Sequence, residues 1–165
     1  MGISVKIRHL ILNMIILTVP LLLISGCATT KQYIAMPAQA RGAANSEKVR
    51  IYVMRTSVVG CAIPIRIKDG DQLIGELERG RYLCWEREPG ETVISSITKI
   101  YDVFVDDVAD QLKLQAEKGS TYYILLKPRM GFLFIRPHNY PRLLTKEAGE
   151  KILSKCKPAE IYQKD

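Results

Sequence analysis

Histidine is scarce in this chain of 165 residues, which contains two. His9 lies close to the N-terminus, so His138 is the single histidine of everything that follows. A catalytic triad of serine, histidine and aspartate would therefore have to use His138. Its neighbours Pro137 and Asn139 predict a loop. We expect a structural or surface role for this histidine rather than catalysis.

The sequence also lacks the spacings that metal and phosphate sites require. Zinc sites need closely spaced cysteine and histidine ligands, and no such pairing is found. No glycine-rich phosphate loop follows a predicted strand. We therefore expect no catalytic set, no cofactor and no metal. One acidic stretch lacks the alternating ligands and central glycine of a calcium loop and is interpreted as a solvated loop; it contains Asp102, Asp106, Asp107 and Asp110.

The one long apolar run is too short to span a membrane comfortably. It extends from residue 10 to residue 24 and is interrupted by Pro20. A spanning helix needs about 20 apolar residues, and proline disrupts a helix interior. Lys6 and Arg8 precede the run, and this basic-then-apolar order is typical of a secretory signal. An uncleaved signal anchor is the alternative.

The apolar run ends in residues 23–27 (LISGC), which resemble the lipobox of bacterial lipoprotein precursors. The resemblance implies transfer of diacylglycerol to the Cys27 thiol, removal of residues 1–26, and acylation of the new N-terminus with a fatty acid such as palmitate. Two or more acyl chains hold a protein stably on a bilayer. Ala28 stands where an aspartate commonly retains Gram-negative lipoproteins at the inner membrane. The resemblance therefore favours the periplasmic face of the outer membrane.

The chain is basic, with a formal net charge of +7 at pH 7. Lys6 and Arg8 leave with the signal and no acid does, so the mature chain carries +5. This balance could attract anionic lipid headgroups or acidic envelope polymers. A solvated surface on which cations outnumber anions is the simpler interpretation. The predicted envelope location, not the charge, excludes nucleic acid as a partner.

Residues 27–48 are mostly small and polar, which predicts a lipidated cysteine followed by a flexible tether. Tyr33, Ile34 and Met36 form the one apolar cluster of this stretch, and they could instead dock on the domain. Residues 49–158 are predicted to form a single domain, followed by a short tail at residues 159–165.

Alternating apolar and polar residues predict antiparallel β structure in the domain. The clearest strand covers residues 63–68, with three isoleucines on one face. The Asp69-Gly70 pair predicts a hairpin turn, and the return strand directs Leu73, Gly75 and Leu77 inward. Further strands are predicted at residues 49–56, 81–88, 112–117, 121–127 and 132–135, and Pro137 and Pro141 are predicted to end the β pattern.

A helix is predicted near the C-terminus. Thr145 has the chemistry of an N-cap, and apolar residues recur at helical spacing from Ala148 to Cys156, before Pro158. The predicted fold is therefore mainly β: an antiparallel, sandwich-like domain of about seven or eight strands with one C-terminal helix.

The order of short motifs from Val49 to Leu153 resembles an uncharacterised family of bacterial lipoproteins that is defined by a domain of unknown function. The resemblance implies a small β-sandwich-like domain of the kind seen in carbohydrate-associated and envelope proteins. It brings no catalytic residues. The motifs are residues 51–55 (IYVMR), Gly60, residues 65–70 (IRIKDG), residues 74–77 (IGEL), residues 80–82 (GRY), residues 89–90 (PG) and residues 119–123 (GSTYY).

Two sets of residues are candidates for binding. Trp85 and Tyr82 could form an aromatic platform, although aromatic residues in strands more often pack in a core. Arg55 could pin the loop that follows it or contact a ligand. The apolar loop residues Val58, Val59 and Gly60 follow Arg55 and complete the candidate binding loop.

The remaining cysteines are assigned by compartment. With Cys27 acylated, three thiols remain in an oxidising compartment, so one is left over or pairs with a second chain. We expect a disulfide between Cys61 and Cys84, whereas Cys156 on the apolar helix stripe is expected to stay reduced and buried.

These observations predict a membrane-anchored, non-catalytic binding or interaction module. Its contacts would be membrane lipid, through Cys27, and an envelope protein or polysaccharide. The alternative is a tethered hydrolase that acts on peptidoglycan or another envelope polymer. That enzyme would require paired carboxylates that converge in a cleft.

Overall fold

The computed structural model describes residues 30–36, 45–57, 63–100, 103–104, 110–130 and 137–162. Within these ranges the chain forms twelve strands and one helix. They are β1 (Lys31–Gln32), β2 (Val49–Arg55), β3 (Ile65–Asp69), β4 (Gln72–Leu77), β5 (Arg81–Arg87), β6 (Gly90–Ile100), β7 (Val103–Phe104), β8 (Asp110–Ala116), β9 (Thr121–Met130), β10 (Pro137–Leu144), α1 (Lys146–Leu153), β11 (Lys157–Pro158) and β12 (Glu160–Ile161).

The strands form two sheets. Sheet A has the order β12-β1-β4-β3-β6-β7, and β8 also pairs with β6. Sheet B has the order β10-β9-β2-β5-β11. The predicted sandwich-like fold with one C-terminal helix is confirmed. Both sheets are mixed, however, because three strand pairs are parallel: β1 with β12, β2 with β9, and β5 with β11.

The space between the sheets is filled by one apolar core, to which both sheets contribute. Ile51 and Trp85 of sheet B pack there with Ile67 and Ile94 of sheet A, and all four are at most 1% exposed. A second cluster lies on the other face of sheet B, where Cys84 and its neighbours pack beneath α1. Strand β2 is buried on both faces because it lies between these clusters.

Helix α1 begins where it was predicted. The Thr145 hydroxyl accepts a hydrogen bond from the Ala148 amide and caps the first turn. The helix packs closely on β9, since a Cβ at Gly149 would lie 2.2 Å from the Cγ of Tyr123. It ends at Leu153, so the buried Cys156 follows the helix rather than belonging to its stripe. Among the described residues, no helix is long and apolar enough to cross a membrane.

The hairpin of β3 and β4 turns at Gly70, as predicted, but a register shift changes which residues face the core. The irregularity lies between Ile67 and Lys68. Ile74 is consequently fully buried, whereas Leu73 is only half-buried. The prediction that Leu73 points inward was wrong, because a bulge in one strand breaks the two-residue alternation.

Strand β10 corrects a second prediction. Pro137 and Pro141 lie inside this strand instead of ending the β pattern, and His138 pairs opposite Arg129 in it rather than lying in a loop. Proline is compatible with β10 because this strand forms the edge of sheet B. The predicted strand at residues 132–135 lies outside the described residues.

The segment that was predicted as a tether contributes a strand. Residues 31–32 form β1, which pairs antiparallel with β4 and parallel with β12. Ile34 and Met36 pack against the core, and the Tyr33 ring contacts Tyr162 edge-on. The docked alternative therefore holds for residues 30–36. Residues 37–44 of the predicted tether lie outside the described residues.

Candidate functional site

Arg55 ends strand β2 and is fully buried. Its Nη1 donates hydrogen bonds to the carbonyl of Ile63, at 2.6 Å, and to the carbonyl of Leu77, at 3.3 Å. Its own carbonyl accepts a bond from the Gly80 amide. A buried guanidinium needs such partners to offset its lost hydration. Arg55 thus pins three chain segments together, which agrees with the structural alternative. Val58, Val59 and Gly60 lie outside the described residues, so the binding loop stays a prediction.

Trp85 and Tyr82 do not form an exposed platform. Trp85 lies in the core between the sheets, and its indole N–H donates to Asp69 at 2.8 Å. The same carboxylate accepts bonds from Arg87 and from the hydroxyl of Thr92. Tyr82 points to the opposite face of sheet B, beneath the helix. Both rings therefore pack, as the simpler interpretation predicted.

The cluster beneath α1 contains both described cysteines. Cys84 and Cys156 are buried and free. Burial raises the pKa of the Cys84 thiol to about 12 and also raises the pKa of the Cys156 thiol. Both thiols are therefore protonated at neutral pH and react poorly.

Cys84 does not carry the predicted disulfide in this structure. Its side chain faces the helix side of sheet B, packed with Tyr52 and Cys156, and not the interior between the sheets. The predicted partner Cys61 lies outside the described residues.

Beside this cluster lies a nearly buried ion pair. Arg50 is 3% exposed, and its Nη2 lies 2.7 Å from Oε1 of Glu86. The Arg50 hydrogen bond lowers the pKa of the Glu86 carboxyl. The Tyr52 ring stacks on Tyr123 with centroids 5.4 Å apart. These groups are engaged with one another, so we assign them a structural role.

The surface that stands out is the end of the sandwich at which the described chain begins. Thr30 is fully buried there. Its hydroxyl accepts a bond from the Glu78 amide, and its carbonyl accepts one from the Glu160 amide. The Lys157 amide donates to the carbonyl of Gly80. The N-terminal segment, the turn between β4 and β5, and the C-terminal segment therefore meet at one place, which we call the Thr30 end.

The Gln32 side chain connects β1 of sheet A to β5 of sheet B through two hydrogen bonds. Its Nε2 donates to the Cys84 carbonyl at 2.7 Å, and its Oε1 accepts from the Cys84 amide at 3.2 Å. The Gln32 side-chain amide therefore supplies the hydrogen-bond partners of the Cys84 N–H and C=O, which lie just beyond the residues of β5 that pair with β11. This contact was missed from the sequence, because nothing local marks a glutamine that binds a strand 52 residues away. The apolar cluster around Tyr33 was the one available signal.

Cations dominate the exposed surface of the Thr30 end. Arg79, Lys155 and Lys157 are exposed, and within the described ranges no ion pair involves them. Two carboxylates also lie there. Glu160 is exposed and lies 3.5 Å from the half-buried Arg81, and Glu78 is half-buried, which raises its pKa.

The carboxylates that the hydrolase alternative requires are mostly outside the described residues. Asp102, Asp106 and Asp107 fall there, and Asp110 is the first residue of β8. In the described part of the chain, no group of three or more histidine, cysteine, aspartate or glutamate residues could hold a metal ion. In comparisons with known proteins, no family model and no curated protein matches the chain. The resemblance to a lipoprotein family thus stays a prediction.

Proposed function

We propose that this protein is a lipid-anchored lipoprotein of the bacterial cell envelope whose sandwich domain binds an envelope partner without chemical turnover. The observation that carries the proposal is the order of a basic start, a short apolar run and the Ser25-Gly26-Cys27 ending. Acylation of Cys27 would hold the chain on the bilayer, since two or more acyl chains give a stable anchor. Ala28 after this cysteine favours the outer membrane, on its periplasmic face.

The partner is an envelope protein or a polysaccharide. Loops commonly carry recognition while strands form the scaffold, and the described strands agree with such a division. Residues such as Ile65 and Ile67 are fully buried in the core. The candidate binding loop follows Arg55, which holds the ends of that loop in place through the Ile63 carbonyl.

The anchor is tested by replacing Cys27 with serine. The variant should accumulate as an unprocessed precursor without acyl mass, because the thiol is the acceptor of the lipid. Cys61→Ser, which makes the same chemical change in the mature chain, should be processed normally. Mass spectrometry of the membrane fraction distinguishes these species. Normal cleavage of Cys27→Ser, together with a wild-type mature protein that lacks acyl mass, would contradict the anchor.

The binding role is tested by crosslinking in intact envelopes. Val58→Ser combined with Val59→Ser should reduce capture of the partner while the melting temperature stays nearly unchanged. Leu143→Ser, at an exposed position of β10, is the matched control and should leave capture intact. A large loss of stability would show that the valines belong to the core, and unchanged capture would place the binding surface elsewhere. An envelope-polymer cleavage activity that His138→Ala abolishes would replace binding by catalysis.

A further inference from the structure

The distance between the proposed anchor and the folded domain is very short. Thr30 is fully buried and hydrogen-bonded on both sides, and it follows Cys27 by three residues. An extended chain spans at most about 3.5 Å per residue, so Thr30 lies within about 10 Å of Cys27. An acylated Cys27 would therefore hold the Thr30 end against the headgroups.

The Thr30 end carries the charge that such a position requires. Arg79 lies in the turn between β4 and β5, directly after Glu78, whose amide binds Thr30. Lys157 is bound through its amide to Gly80 in the same turn, and Lys155 precedes it by two residues. All three cationic side chains are exposed. Electrostatic attraction acts over a screening length of about 8 Å at physiological ionic strength, which matches the reach of the three-residue connection.

The strand beside the connection exposes residues suited to an interface. Ile161 and Tyr162 are 56% and 43% exposed, and the Tyr162 amide binds the Gln32 carbonyl. The Lys31 ammonium lies over the Tyr162 ring at 4.8 Å. Tyrosine and lysine side chains place an apolar body and a polar tip at the boundary between headgroups and hydrocarbon.

We propose that the Thr30 end is a docking surface for the anionic phospholipid bilayer that holds the anchor, with Arg79, Lys155 and Lys157 bound to lipid phosphates. This inference rests on the proposed anchoring at Cys27. The domain then lies on the membrane instead of standing off on a long tether, and its opposite end, with the Asp69–Gly70 turn, faces away from the bilayer. Each cation near an anionic surface strengthens binding about fivefold, so the three together contribute about 100-fold.

The first experiment measures the surface without the lipid. The complete mature chain with Cys27→Ala is sedimented with vesicles of phosphatidylcholine, with or without phosphatidylglycerol. Replacement of Arg79, Lys155 and Lys157 by glutamine should weaken binding to phosphatidylglycerol vesicles about 100-fold. The control replaces by glutamine the exposed Lys113, which lies opposite Val93 in β8, and the exposed Lys118, whose ammonium pairs with Glu47. Both lie away from the Thr30 end, so the control should retain binding. Equal losses per cation removed would overturn the proposal, because the control removes two cations and the test variant three.

The second experiment uses the acylated protein and its single tryptophan, Trp85, as an energy donor to dansyl-labelled lipid headgroups. Energy transfer in the wild type is the reference value, because Trp85 bonds Asp69 and so lies toward the end that faces away from the bilayer. After insertion of a twelve-residue glycine-serine spacer between Ala28 and residue 29, transfer should stay at this value only with the three cations present and phosphatidylglycerol in the vesicle. If the spacer lowers the energy transfer equally in neutral and in anionic vesicles, docking is refuted.

The two proposals fail in different ways. A mature protein without acyl mass would remove the anchor, yet the sedimentation experiment would still report on the cationic surface. If the protein is acylated but its vesicle binding does not depend on phosphatidylglycerol, the proposed anchor stands and only the proposed docking surface is refuted.

Discussion

Removal of the Gln32 side-chain amide tests whether the N-terminal segment belongs to the fold. In the structure this amide is fully buried and forms both of its bonds with the backbone of Cys84. Gln32→Ala would leave a buried N–H and a buried C=O of β5 without partners. We therefore expect this single change in a segment of tether-like composition to destabilise the whole domain.

The size of the effect follows from the cost of unpaired buried groups. Each unsatisfied backbone group costs about 1–3 kcal/mol, and the two at Cys84 together should lower the free energy of unfolding by about 2–6 kcal/mol. For a domain of this size, 1 kcal/mol shifts the melting temperature by about 2–4 °C. Gln32→Ala should thus melt roughly 4–24 °C lower than the parent.

Urea unfolding of the mature chain, followed through Trp85 fluorescence, measures this loss. Gln111→Ala is the matched control, because Gln111 lies exposed on β8. The control should change the free energy of unfolding by less than about 0.5 kcal/mol. If Gln32→Ala and Gln111→Ala changed the free energy of unfolding equally, residues 30–36 would be a tether and not part of the fold. The inference of a short connection between the domain and the bilayer would then be wrong as well.

Three further predictions concern the helix side of sheet B. Gly149→Ala should lower the melting temperature even though alanine favours helix by about 1 kcal/mol, because the new Cβ would lie 2.2 Å from Tyr123; an unchanged or higher value would show that α1 can shift away from β9. The Cys84 thiol, whose pKa is about 12, should resist a thiol reagent at pH 8 until urea unfolds the protein, and rapid labelling of the native state would contradict its burial. Arg50 lowers the pKa of Glu86 in the folded protein, so the stabilising contribution of this carboxylate is present above pH 4.5, its ordinary pKa, and is lost as the pH falls through the pKa of the folded state. Glu86→Gln should therefore reduce the loss of stability that is measured below pH 4.5. An unchanged dependence of stability on acid pH would mean that the Arg50–Glu86 pair contributes little.

Features with local signals were predictable from the sequence. The hairpin of β3 and β4 has an Asp-Gly turn, which supplies the positive φ of 56° at Gly70. The apolar residues of β8 alternate with exposed ones because one face of this strand packs on the core. Thr145 caps α1 through its own hydroxyl. In each case the residues that determine the structure lie within a few positions of one another.

Features set by distant partners were not predictable in this way. Strand β2 reads VRIYVMR, and its two arginines suggest solvent, yet all seven residues are buried because the strand lies between two packed clusters. Its parallel partner β9 begins more than sixty residues later. The strands β1, β11 and β12 have two residues each, which is too short for any alternation to be detected.

The candidate site depends on these unpredictable elements, and Gly75 explains why. Gly75 lies in the middle of β4, where the lack of a side chain weakens a strand. The hairpin turns at Gly70, so the turn does not require a glycine at position 75. A Cβ at this position would lie 2.3 Å from the Lys31 carbonyl, so the glycine is needed for β1 to approach β4. The backbone of Lys31 can therefore lie beside the sheet, Gln32 can reach Cys84, and Thr30 can be buried three residues after Cys27. A glycine inside a strand can thus be the sequence signal of a second backbone that lies close to that strand. Here the second backbone is β1, which places the Thr30 end three residues from the proposed anchor at Cys27.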